Sequence, residues 1–379
     1  MRISVLCRNL TSNSLGRAHL LTEVLDRNHE VEIAGIDYGQ GVWEPLEDKW
    51  DYKRLGTTAS IAEFPRRAAS VTDQLTGDVI VACKPRTTSY GLALIKRYRD
   101  GTPVILDIDD WDTGLMHTDS RLKSHVKKIS QLNNVNKGYY IQLLEKISNR
   151  ADELIVSNTF LQDKFGGTVV PHVRDTDTFD PEKFDKEAIR DEFGLPQEKT
   201  IVMFSGTPRE HKGVDDLIRA INSIENGQII GVIVGVQDSQ YARYLRKLAG
   251  DRVIFVGPQP FDLIPKWVAA ADIITIPQKR SQATRGQLPA KLFDAMAMGK
   301  PIIGTNVSDI PKILEGCGIV VEPDSSDAIA EEITRLHENP ALREELGRKA
   351  RERCVEEYSY DAYEPVLEEI ITDAIENHK

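Results

Sequence analysis

Two short segments of the chain bring positive charge and backbone N–H groups together in a pattern that suits a phosphate. In the first, Thr200 to Leu217 (TIVMFSGTPREHKGVDDL), an apolar strand runs into a loop with two glycines and then into a helix. Arg209, His211 and Lys212 lie in that loop. Cations beside the start of a helix form a favourable place for an anion. The alternative is a solvated turn with incidental charges.

The second segment, Arg285 to Pro301 (RGQLPAKLFDAMAMGKP), reads as a helix with its own start and stop signals. Pro289 suits the first turn of a helix, and Gly299 is placed to end it. Lys291 and Asp294 are three residues apart, so they share a face near the start of this helix. An aspartate there can accept hydrogen bonds from two vicinal hydroxyls, as on a ribose. The alternative is a plain surface Lys–Asp pair.

The densest group of carboxylates is DIDDWD, residues 107–112, at the end of a predicted strand. Carboxylates in such a place are costly unless they are solvated, hydrogen-bonded or functional. In the first interpretation the cluster borders an acceptor site, where Asp107, Asp109 or Asp110 orients or deprotonates a hydroxyl. In the second it is a metal-binding D-x-D motif, and in the third a polar loop with structural hydrogen bonds.

Two basic residues leave the strand that precedes this cluster in the chain. Lys84 and Arg86 follow the apolar run at 78–83, so they belong to the same end of a parallel sheet as the aspartates. They could pair with those carboxylates, and they could equally hold a phosphate of the acceptor. Both alternatives stay open on the sequence alone.

The elements that must position these residues alternate regularly between strand and helix patterns. In the first part of the chain, strands are predicted at 2–7, 30–36, 78–83, 103–108 and 153–157, with helices at 15–27 and 90–99. In the second part, strands are predicted at 200–205, 229–234, 252–256, 272–276, 301–304 and 318–321, with helices at 214–224, 239–249, 263–270 and 289–298. Such alternation predicts parallel sheets covered on both faces.

We therefore predict an α/β protein with two Rossmann-like, doubly wound parallel-sheet domains. The break between them is placed at 171–199, where prolines stand among charges. The domains are predicted at 1–175 and 190–355, and a terminal helix at about 360–379 is expected to pack back on the first. Ligands of such sheets bind at the carboxyl ends of the strands, so a cleft between the two domains is expected.

Composition narrows the class of protein further. The 379 residues carry a net charge of −11, and all of that excess lies beyond residue 170, which argues against nucleic acid as a partner. The four cysteines are scattered, so no zinc site is predicted, and no G-x-G-x-x-G motif indicates a nicotinamide cofactor. No segment approaches the length of a membrane span, and no secretory signal opens the chain, so we expect a cytoplasmic location.

One stretch suggests contact with a membrane surface. Residues 121–146 alternate lysines with apolar residues, which is typical of an amphipathic helix at an anionic membrane, where lipid-linked acceptors are found. The alternative is a solvated helix face. The sequence thus permits a cytoplasmic protein that is peripheral at the membrane.

The stretch from about residue 150 to 320 resembles the family-4 glycosyltransferases of GT-B fold. The resemblance rests on four segments in the family's order and approximate spacing: PHVRDTDTFDP (171–181), SGTPREHKGVDDLIRAI (205–221), RVIFVGPQ (252–259) and PAKLFDAMAMGKPIIGT (289–305). It implies transfer of a sugar, with retention of anomeric configuration, from a nucleoside diphosphate sugar to an acceptor that is a sugar, a glycan or lipid-linked. It also implies that the leaving group is stabilised by cations and helix N-termini, without a metal or another cofactor.

The resemblance assigns individual roles at the donor site. Lys212 matches the family's diphosphate-binding lysine, and Arg209 is the nearest substitute for a partner arginine whose place is taken by Thr207. Asp294 matches the carboxylate that holds the ribose, whereas Gly286 stands where the family has a glutamate that contacts the donor sugar. The remaining positions predicted to contact the donor are Gly16, Val256, Gly257, Gln287, Leu288 and Lys291.

Two further functions are compatible with parts of the sequence. The segment LDIDD suggests a phosphohydrolase of the haloacid dehalogenase kind, although Trp111 stands where that motif has Thr or Val. The absence of a glutamate at position 286 suggests a non-catalytic protein that binds nucleotide sugars. Release of phosphate from simple esters would favour the first, and tight donor binding without turnover would favour the second.

Overall fold

A computed structural model describes residues 1–39, 41–56, 60, 62–116 and 133–378 of the chain. The chain folds into two compact units. Unit 1 comprises Met1–His172, Gly286–Leu288 and Tyr363–Lys379, and unit 2 comprises Val173–Arg285 and Pro289–Ala362.

Unit 1 is built on a parallel sheet that has seven strands in the described residues, in the order β3-β2-β1-β4-β5-β6-β7. The strands are β1 (Arg2–Cys7), β2 (Glu30–Ile36), β3 (Lys53–Leu55), β4 (Val79–Cys83), β5 (Val104–Ile108), β6 (Glu153–Val156) and β7 (Thr168–Val169). The helices are α1 (Leu15–Leu25), α2 (Phe64–Thr72), α3 (Leu92–Asp100), α4 (Asp112–Met116), α5 (Gly138–Lys146) and α6 (Thr159–Phe165). A π-helical turn at Thr87–Gly91 precedes α3.

Unit 2 contains a second parallel sheet, in the order β10-β9-β8-β11-β12-β13. Its strands are β8 (Thr200–Ser205), β9 (Ile229–Val234), β10 (Val253–Val256), β11 (Ile273–Ile276), β12 (Ile302–Thr305) and β13 (Ile319–Val321). Its helices are α7 (Lys186–Phe193), α8 (Val214–Ser223), α9 (Gln240–Leu248), α10 (Ile264–Ala270), α11 (Gln282–Arg285), α12 (Ala290–Ala297), α13 (Ile310–Leu314), α14 (Ser326–Glu338) and α15 (Pro340–Glu357). The last helix of the chain is α16 (Tyr360–Glu376).

Each sheet reverses its strand order at one point, and that point fixes where a ligand can bind. In unit 1 the reversal lies at β1, between β2 and β4, and in unit 2 it lies at β8, between β9 and β11. Loops that leave neighbouring strands in opposite directions open a crevice at the carboxyl ends of the strands. The segments that follow β1, β4 and β5 in unit 1, and β8 and β11 in unit 2, are therefore the places to look for a site.

The central strands are buried because they are runs of mainly branched apolar residues covered on both faces. Every residue of β8 and β9 is buried, and so is every residue of β4 and β5. A fully buried aliphatic side chain contributes about 1.5–3 kcal/mol, so these runs hold the sheets together. The predicted α/β fold of two Rossmann-like domains is confirmed.

The segment predicted as a break, 171–199, contains the helix α7. Its start is fixed by Asp185, whose side chain accepts hydrogen bonds from the N–H groups of Glu187 and Ala188. Its end is fixed by Gly194 in the left-handed conformation. A good cap at each end lets this charged segment form a short helix, which buries Ile189.

Within the described residues, no helix combines the length and the continuous apolar character that crossing a bilayer requires.

Candidate functional site

In unit 2, the loop that follows β8 depends on two glycines. Gly206 has a φ of 107°, and its N–H donates to the carbonyl oxygen of Val234 at 2.9 Å. Gly213 has a φ of 65°, and a Cβ added there would lie 1.8 Å from the carbonyl oxygen of Pro277. The loop therefore touches the chain that leaves β11, and position 213 has room for glycine alone.

We expect Gly213→Ala to destabilise unit 2 and to displace Lys212, its neighbour in the chain. The backbone conformation alone costs a non-glycine residue about 1–2 kcal/mol, and relief of the clash with Pro277 adds to this. Gly194→Ala is the matched control, because Gly194 has a φ of 64° and open space where a Cβ would lie. Urea denaturation of both variants measures the difference, and equal losses would show that the contact with Pro277 is unimportant.

Lys212 is the cation that this loop holds most firmly. It ends the short 3-10 turn Glu210–Lys212, and its half-buried side chain donates from Nζ to the carbonyl oxygen of Thr207 at 2.8 Å. Arg209 is exposed at the start of the same turn, and it forms no ion pair with any residue that the structure describes. The loop thus presents one lysine folded across it and one arginine that extends into solvent.

Lys291, the second residue of α12, places a second amino group at this loop. Its Nζ is shielded from solvent and lies 3.3 Å from the centroid of the Phe204 ring, in β8. A Cβ added at Gly206 would be only 3.1 Å from this nitrogen. Among the described residues, Nζ has no hydrogen-bond partner. The glycine turn therefore carries a shielded amine that lacks a hydrogen-bond acceptor among the described residues.

The surroundings of Lys291 disfavour a charge on its amino group. Burial lowers the pKa of Lys291 well below its ordinary value, and the ammonium of Lys212 lowers it further, while Asp294 acts in the opposite direction. A cation–π attraction to Phe204 contributes about 2 kcal/mol when desolvated, whereas burial of an unpaired ion costs several kcal/mol. Burial and the neighbouring ammonium thus both shift the protonation equilibrium of Lys291 toward the uncharged amine.

Asp294 is buried and already has a cationic partner. Its Oδ1 accepts a short hydrogen bond from Nε of Arg174, which also donates to the carbonyl oxygens of Val173 and Ala290. Both charged groups are about 90% shielded from solvent. Arg174 therefore fixes the orientation of the carboxylate that the sequence assigns to the ribose.

The other predicted donor contacts of unit 2 lie at the end of β10. The carbonyl oxygen of Val256 accepts from the N–H groups of Gly235 and Val236, at 3.1 and 2.9 Å. Gly257 follows at the surface, with no atom within 4 Å of the position a Cβ would take. This stretch presents backbone atoms and a flat surface, and its predicted contact with a base stays a prediction.

In unit 1, the first aspartate of the DIDDWD segment serves an internal ion pair. Asp107 is fully buried, and both its oxygens accept hydrogen bonds from Arg17, at 2.7 to 3.2 Å. Arg17 also donates to the carbonyl oxygens of Val170 and Pro171, each at 2.8 Å. Asp107 is thus the least accessible of the three predicted carboxylates, and these contacts give it a structural role in the ion pair.

The second and third aspartates share one lysine. Nζ of Lys84 lies 2.7 Å from Oδ1 of Asp109 and 2.9 Å from Oδ2 of Asp110. Lys84 has a φ of 71°, which costs a non-glycine residue about 1–3 kcal/mol. Its N–H donates to the carbonyl oxygen of Asp107 at 2.7 Å, which helps to hold this strained conformation. In this backbone conformation the ammonium of Lys84 contacts both carboxylates.

These two carboxylates differ in their electrostatics. Burial raises the pKa of Asp109 to about 6, although Lys84 opposes the shift. Burial also acts on Asp110, but there Lys84 and a hydrogen bond from Gln287 outweigh it and lower the pKa to about 2. The side chain of Asp110 is 23% exposed, against 8% for Asp109. Asp110 is thus the charged carboxylate that a ligand can reach.

Both basic residues that follow β4, Lys84 and Arg86, form ion pairs with carboxylates of the DIDDWD segment. Arg86 donates from Nε to Oδ2 of Asp112 at 2.7 Å, and Lys84 is held as described. Of the two alternatives for these cations, pairing with the aspartates is the one present in the structure. Across the described ranges of the chain, no three side chains of His, Cys, Asp or Glu are grouped so that they could hold a metal ion.

The segment 286–288 packs against this cluster within unit 1. The N–H of Trp111 donates to the carbonyl oxygen of Gly286 at 3.1 Å, and Nε2 of Gln287 donates to Oδ1 of Asp110 at 3.1 Å. A Cβ at Gly286 would lie 2.6 Å from Cβ of Trp111, so the glutamate of the resembled family would fit here only if Trp111 or the backbone shifted. Leu288 is buried beside them.

Two other sequence expectations lie apart from these clusters. Gly16, the second residue of α1, would accept a Cβ, since the nearest atom belongs to Trp43 at 3.8 Å. Much of the proposed membrane surface, 121–146, lies outside the described residues. The part that is described, α5, exposes Tyr139 and Leu143 one turn apart.

Two residues that organise the clusters were not singled out by the sequence analysis, namely Arg17 and Arg174. Both lie inside segments quoted there, next to Gly16 and within PHVRD. An arginine among buried positions of a predicted helix or linker needs a carboxylate partner, because guanidinium stays charged. The requirement for a partner could have marked both arginines as important from the sequence. It does not identify which aspartate is the partner.

Comparison with known proteins gives the following matches. Residues 185–353 match the model of the family described as Glycosyl transferases group 1. A GDP-mannose-dependent alpha-(1-6)-phosphatidylinositol monomannoside mannosyltransferase of Mycobacterium tuberculosis is 27% identical over 241 residues, which cover 58% of this chain and 61% of the relative. An N-acetyl-alpha-D-glucosaminyl L-malate synthase of Bacillus anthracis is 23% identical, covering 52% and 51%. The chain thus spans about half to three fifths of the length of these curated relatives.

Solved structures with the same fold cover nearly the whole chain. A sucrose-phosphate synthase from Thermosynechococcus elongatus aligns with a TM-score of 0.77 at 16% identity, over 99% of both chains. HepE of Anabaena, in complex with UDP-glucose, aligns with a TM-score of 0.77 at 17% identity, over 98% of this chain and 99% of that one. The resemblance and the GT-B fold predicted from the sequence are confirmed.

Proposed function

We propose that the chain, whose residues 185–353 match the model of the Glycosyl transferases group 1, transfers a sugar from a nucleoside diphosphate sugar to a hydroxyl of an acceptor, with retention of configuration. The observation that carries the proposal is the pair of amino groups, Lys212 and Lys291, at the glycine turn after β8. That turn lies where the strand order of unit 2 reverses, the place at which such sheets bind phosphates.

The donor diphosphate is bound by the loop of unit 2. As the bond between the sugar carbon and the β-phosphate oxygen breaks, negative charge grows on that phosphate. Lys212 would exchange its contact with the Thr207 carbonyl for a phosphate oxygen, and the first N–H groups of α8 and α12 would add their partial positive charge. Charges that bind the leaving group more strongly than the intact donor lower the barrier.

The nucleoside lies, in this proposal, between Asp294 and the end of β10. Arg174 holds the Asp294 carboxylate in one orientation, so one oxygen is fixed for a ribose hydroxyl without a cost in side-chain ordering. Val256 and Gly257 offer backbone to the base. Arg209 is the more adaptable cation, because it is exposed and lacks a fixed partner among the described residues.

For the carboxylates of unit 1 we propose a contact with hydroxyls of the acceptor. Asp110 is charged, reachable and held by Lys84 and Gln287, so it can accept a hydrogen bond from a hydroxyl. Asp109 lies deeper and supports Lys84. In the proposed step the bond from the acceptor oxygen to the sugar carbon forms on the face that the phosphate leaves. The acceptor's proton passes to the departing phosphate oxygen, so no separate base is required.

The names of the relatives indicate the donors to be tried first. The mycobacterial relative is GDP-mannose-dependent, and HepE was solved with UDP-glucose, so GDP- and UDP-sugars come before ADP- and CMP-sugars. Acceptors that are lipid-linked follow from the phosphatidylinositol mannoside in the first name, and small hydroxy acids follow from the malate in the second. Thermal shift against this panel, followed by assay of nucleoside diphosphate release, tests the proposal.

For Asp110→Asn we expect unchanged donor stabilisation and a transfer rate that is about 10- to 100-fold lower. The reason is that a hydrogen bond to a charged acceptor contributes about 1.5–3 kcal/mol, and the amide keeps the shape but not the charge. Asp48→Asn, at an exposed position in unit 1, is the control. Release of nucleoside diphosphate measures the rate, and full activity of Asp110→Asn would remove this residue from the mechanism.

The two alternative functions make different predictions in the same assays. A haloacid dehalogenase nucleophile must be an accessible carboxylate, whereas Asp107 is buried against Arg17. Release of phosphate from simple esters would nevertheless establish that activity. Stabilisation by a nucleotide sugar without turnover over any acceptor would establish the binding protein.

A further inference from the structure

The amino group of Lys291 lies in a shielded environment. A lysine that binds phosphate as a permanent cation would not need such shielding. The Lys291 amine is shielded from solvent, faces the ring of Phe204 at 3.3 Å, and has no hydrogen-bond partner among the residues described. Asp294, one turn along the same helix, is paired with Arg174 instead. The described titratable groups that act on Lys291 are Lys212, from the loop after β8, and Asp294, from its own helix.

The absence of a Cβ at Gly206 lets the amine of Lys291 lie close against the turn that follows β8. A Cβ there would be only 3.1 Å from Nζ. A phosphate oxygen that binds at this turn and accepts a hydrogen bond from Nζ would supply the counter-charge that Lys291 lacks. It would also offset the repulsion from Lys212, because both ammonium groups would face the same anion.

We propose that Lys291 is an uncharged amine in the ligand-free protein and becomes an ammonium when a phosphate oxygen of the donor enters beside Gly206, so that donor binding takes up one proton. The inference rests on the proposed function where it identifies the anion as a donor diphosphate. The proton comes from the buffer, and no covalent bond forms or breaks.

A coupled proton makes donor affinity depend on pH in a defined direction. Between the lowered pKa of Lys291 in the free protein and its higher pKa in the complex, each unit of increasing pH weakens binding about tenfold. A nucleotide sugar has a diphosphate esterified at both ends, which does not titrate near neutral pH. The pH dependence therefore belongs to the protein. Product release is coupled as well, since Lys291 returns its proton to the buffer when the nucleoside diphosphate leaves.

NMR of protein labelled with 13C at Cε of lysine tests the first half of the proposal without any nucleotide. The Lys291 resonance is assigned by its loss in Lys291→Met, which keeps an unbranched side chain against Phe204. At about pH 8, where ordinary lysines are charged, we expect this resonance at the position of a neutral amine. Addition of sulfate, an anion that does not titrate, should move it to the ammonium position. A charged Lys291 before sulfate, or a neutral one at saturating sulfate, overturns the inference.

Calorimetry with UDP-glucose and GDP-mannose tests the second half. Titrations in two buffers of different ionisation enthalpy should report uptake of about one proton per bound donor in the wild type and none in Lys291→Met. Lys312→Met, at an exposed lysine of α13, should retain the uptake. Binding without proton uptake overturns the coupling. If neither nucleotide sugar binds while sulfate still protonates Lys291, the coupling stands and the proposed donor is wrong.

Discussion

Arg17→Met should lower the free energy of unfolding of unit 1 by about 3–5 kcal/mol, the usual result of removing one member of a buried ion pair. The loss arises because Asp107, fully buried, would keep its charge without a partner. For a unit of this size the change corresponds to roughly 6–20 °C in the transition temperature, at about 2–4 °C per kcal/mol. Calorimetry and urea denaturation followed by circular dichroism measure it.

A double variant separates the ion pair from the rest of the Arg17 contacts. Arg17→Met combined with Asp107→Leu removes the stranded charge, so most of the lost stability should return. Recovery should be incomplete, since the carbonyl oxygens of Val170 and Pro171 also lose their donor. Arg54→Met is the control in the same unit. Its side chain is 54% exposed and 3.6 Å from Asp37, so a change of no more than about 1 kcal/mol is expected.

An equal loss in the double and single variants would contradict this account. It would mean that the carbonyl contacts of Arg17, rather than the buried charge of Asp107, dominate its contribution. Transfer activity is a second measurement of the same variants. It is informative because β5 contains Asp107 and is followed directly by Asp109 and Asp110. If Asp107 is structural as proposed, the double variant should regain transfer activity together with stability.

The sheets were predictable because their strands are runs of branched apolar residues. All six strands of unit 2 were predicted to within one residue at each end. Each is a short apolar run, and β8, β9, β11 and β12 are buried throughout. In unit 1, β3 and β7 escaped prediction. They have three and two residues, too few for a periodic pattern, and they are defined by pairing with β2 and β6.

The site was predictable in residue type but not in pairing. The glycine turn, Lys212 and the DIDDWD cluster could be found because motifs are local in sequence. The partners of their charges are not local, since Arg17 bonds to Asp107 across 90 positions and Arg174 to Asp294 across 120. Which of several aspartates meets a given arginine depends on strand order and register, so no local pattern could separate the structural Asp107 from the reachable Asp110.

Steric constraint explains the main departure from the resembled family. A Cβ added at position 286 would lie 2.6 Å from Cβ of Trp111, so any larger residue there would force its surroundings to shift. The neighbouring Gln287 donates to Asp110. A carboxylate is therefore present beside this segment. It belongs to Asp110, which follows β5, and not to a side chain at position 286.

Lys212→Ala should have the largest effect on activity. Loss of a preorganised donor to the leaving group typically reduces turnover by about 100- to 1,000-fold, and we expect kcat to fall in that range. Stabilisation by the preferred nucleotide sugar should also decrease. Folding should be little affected, because Nζ of Lys212 donates to the carbonyl oxygen of Thr207 at a half-buried position open to water.

Arg209 and Lys291, two other basic residues at the turn after β8, test whether the effect of Lys212→Ala is specific to Lys212. Arg209→Ala, at an exposed side chain of the same turn, should reduce kcat less than Lys212→Ala, because its guanidinium must be ordered before it can act. Lys212→Ala should also raise the pKa of Lys291, since the repulsion that helps to lower it is removed. Thermal shift, steady-state kinetics and the lysine NMR signal report these three effects independently. An unchanged thermal response to nucleotide sugars in Lys212→Ala would place the diphosphate elsewhere than at the turn after β8.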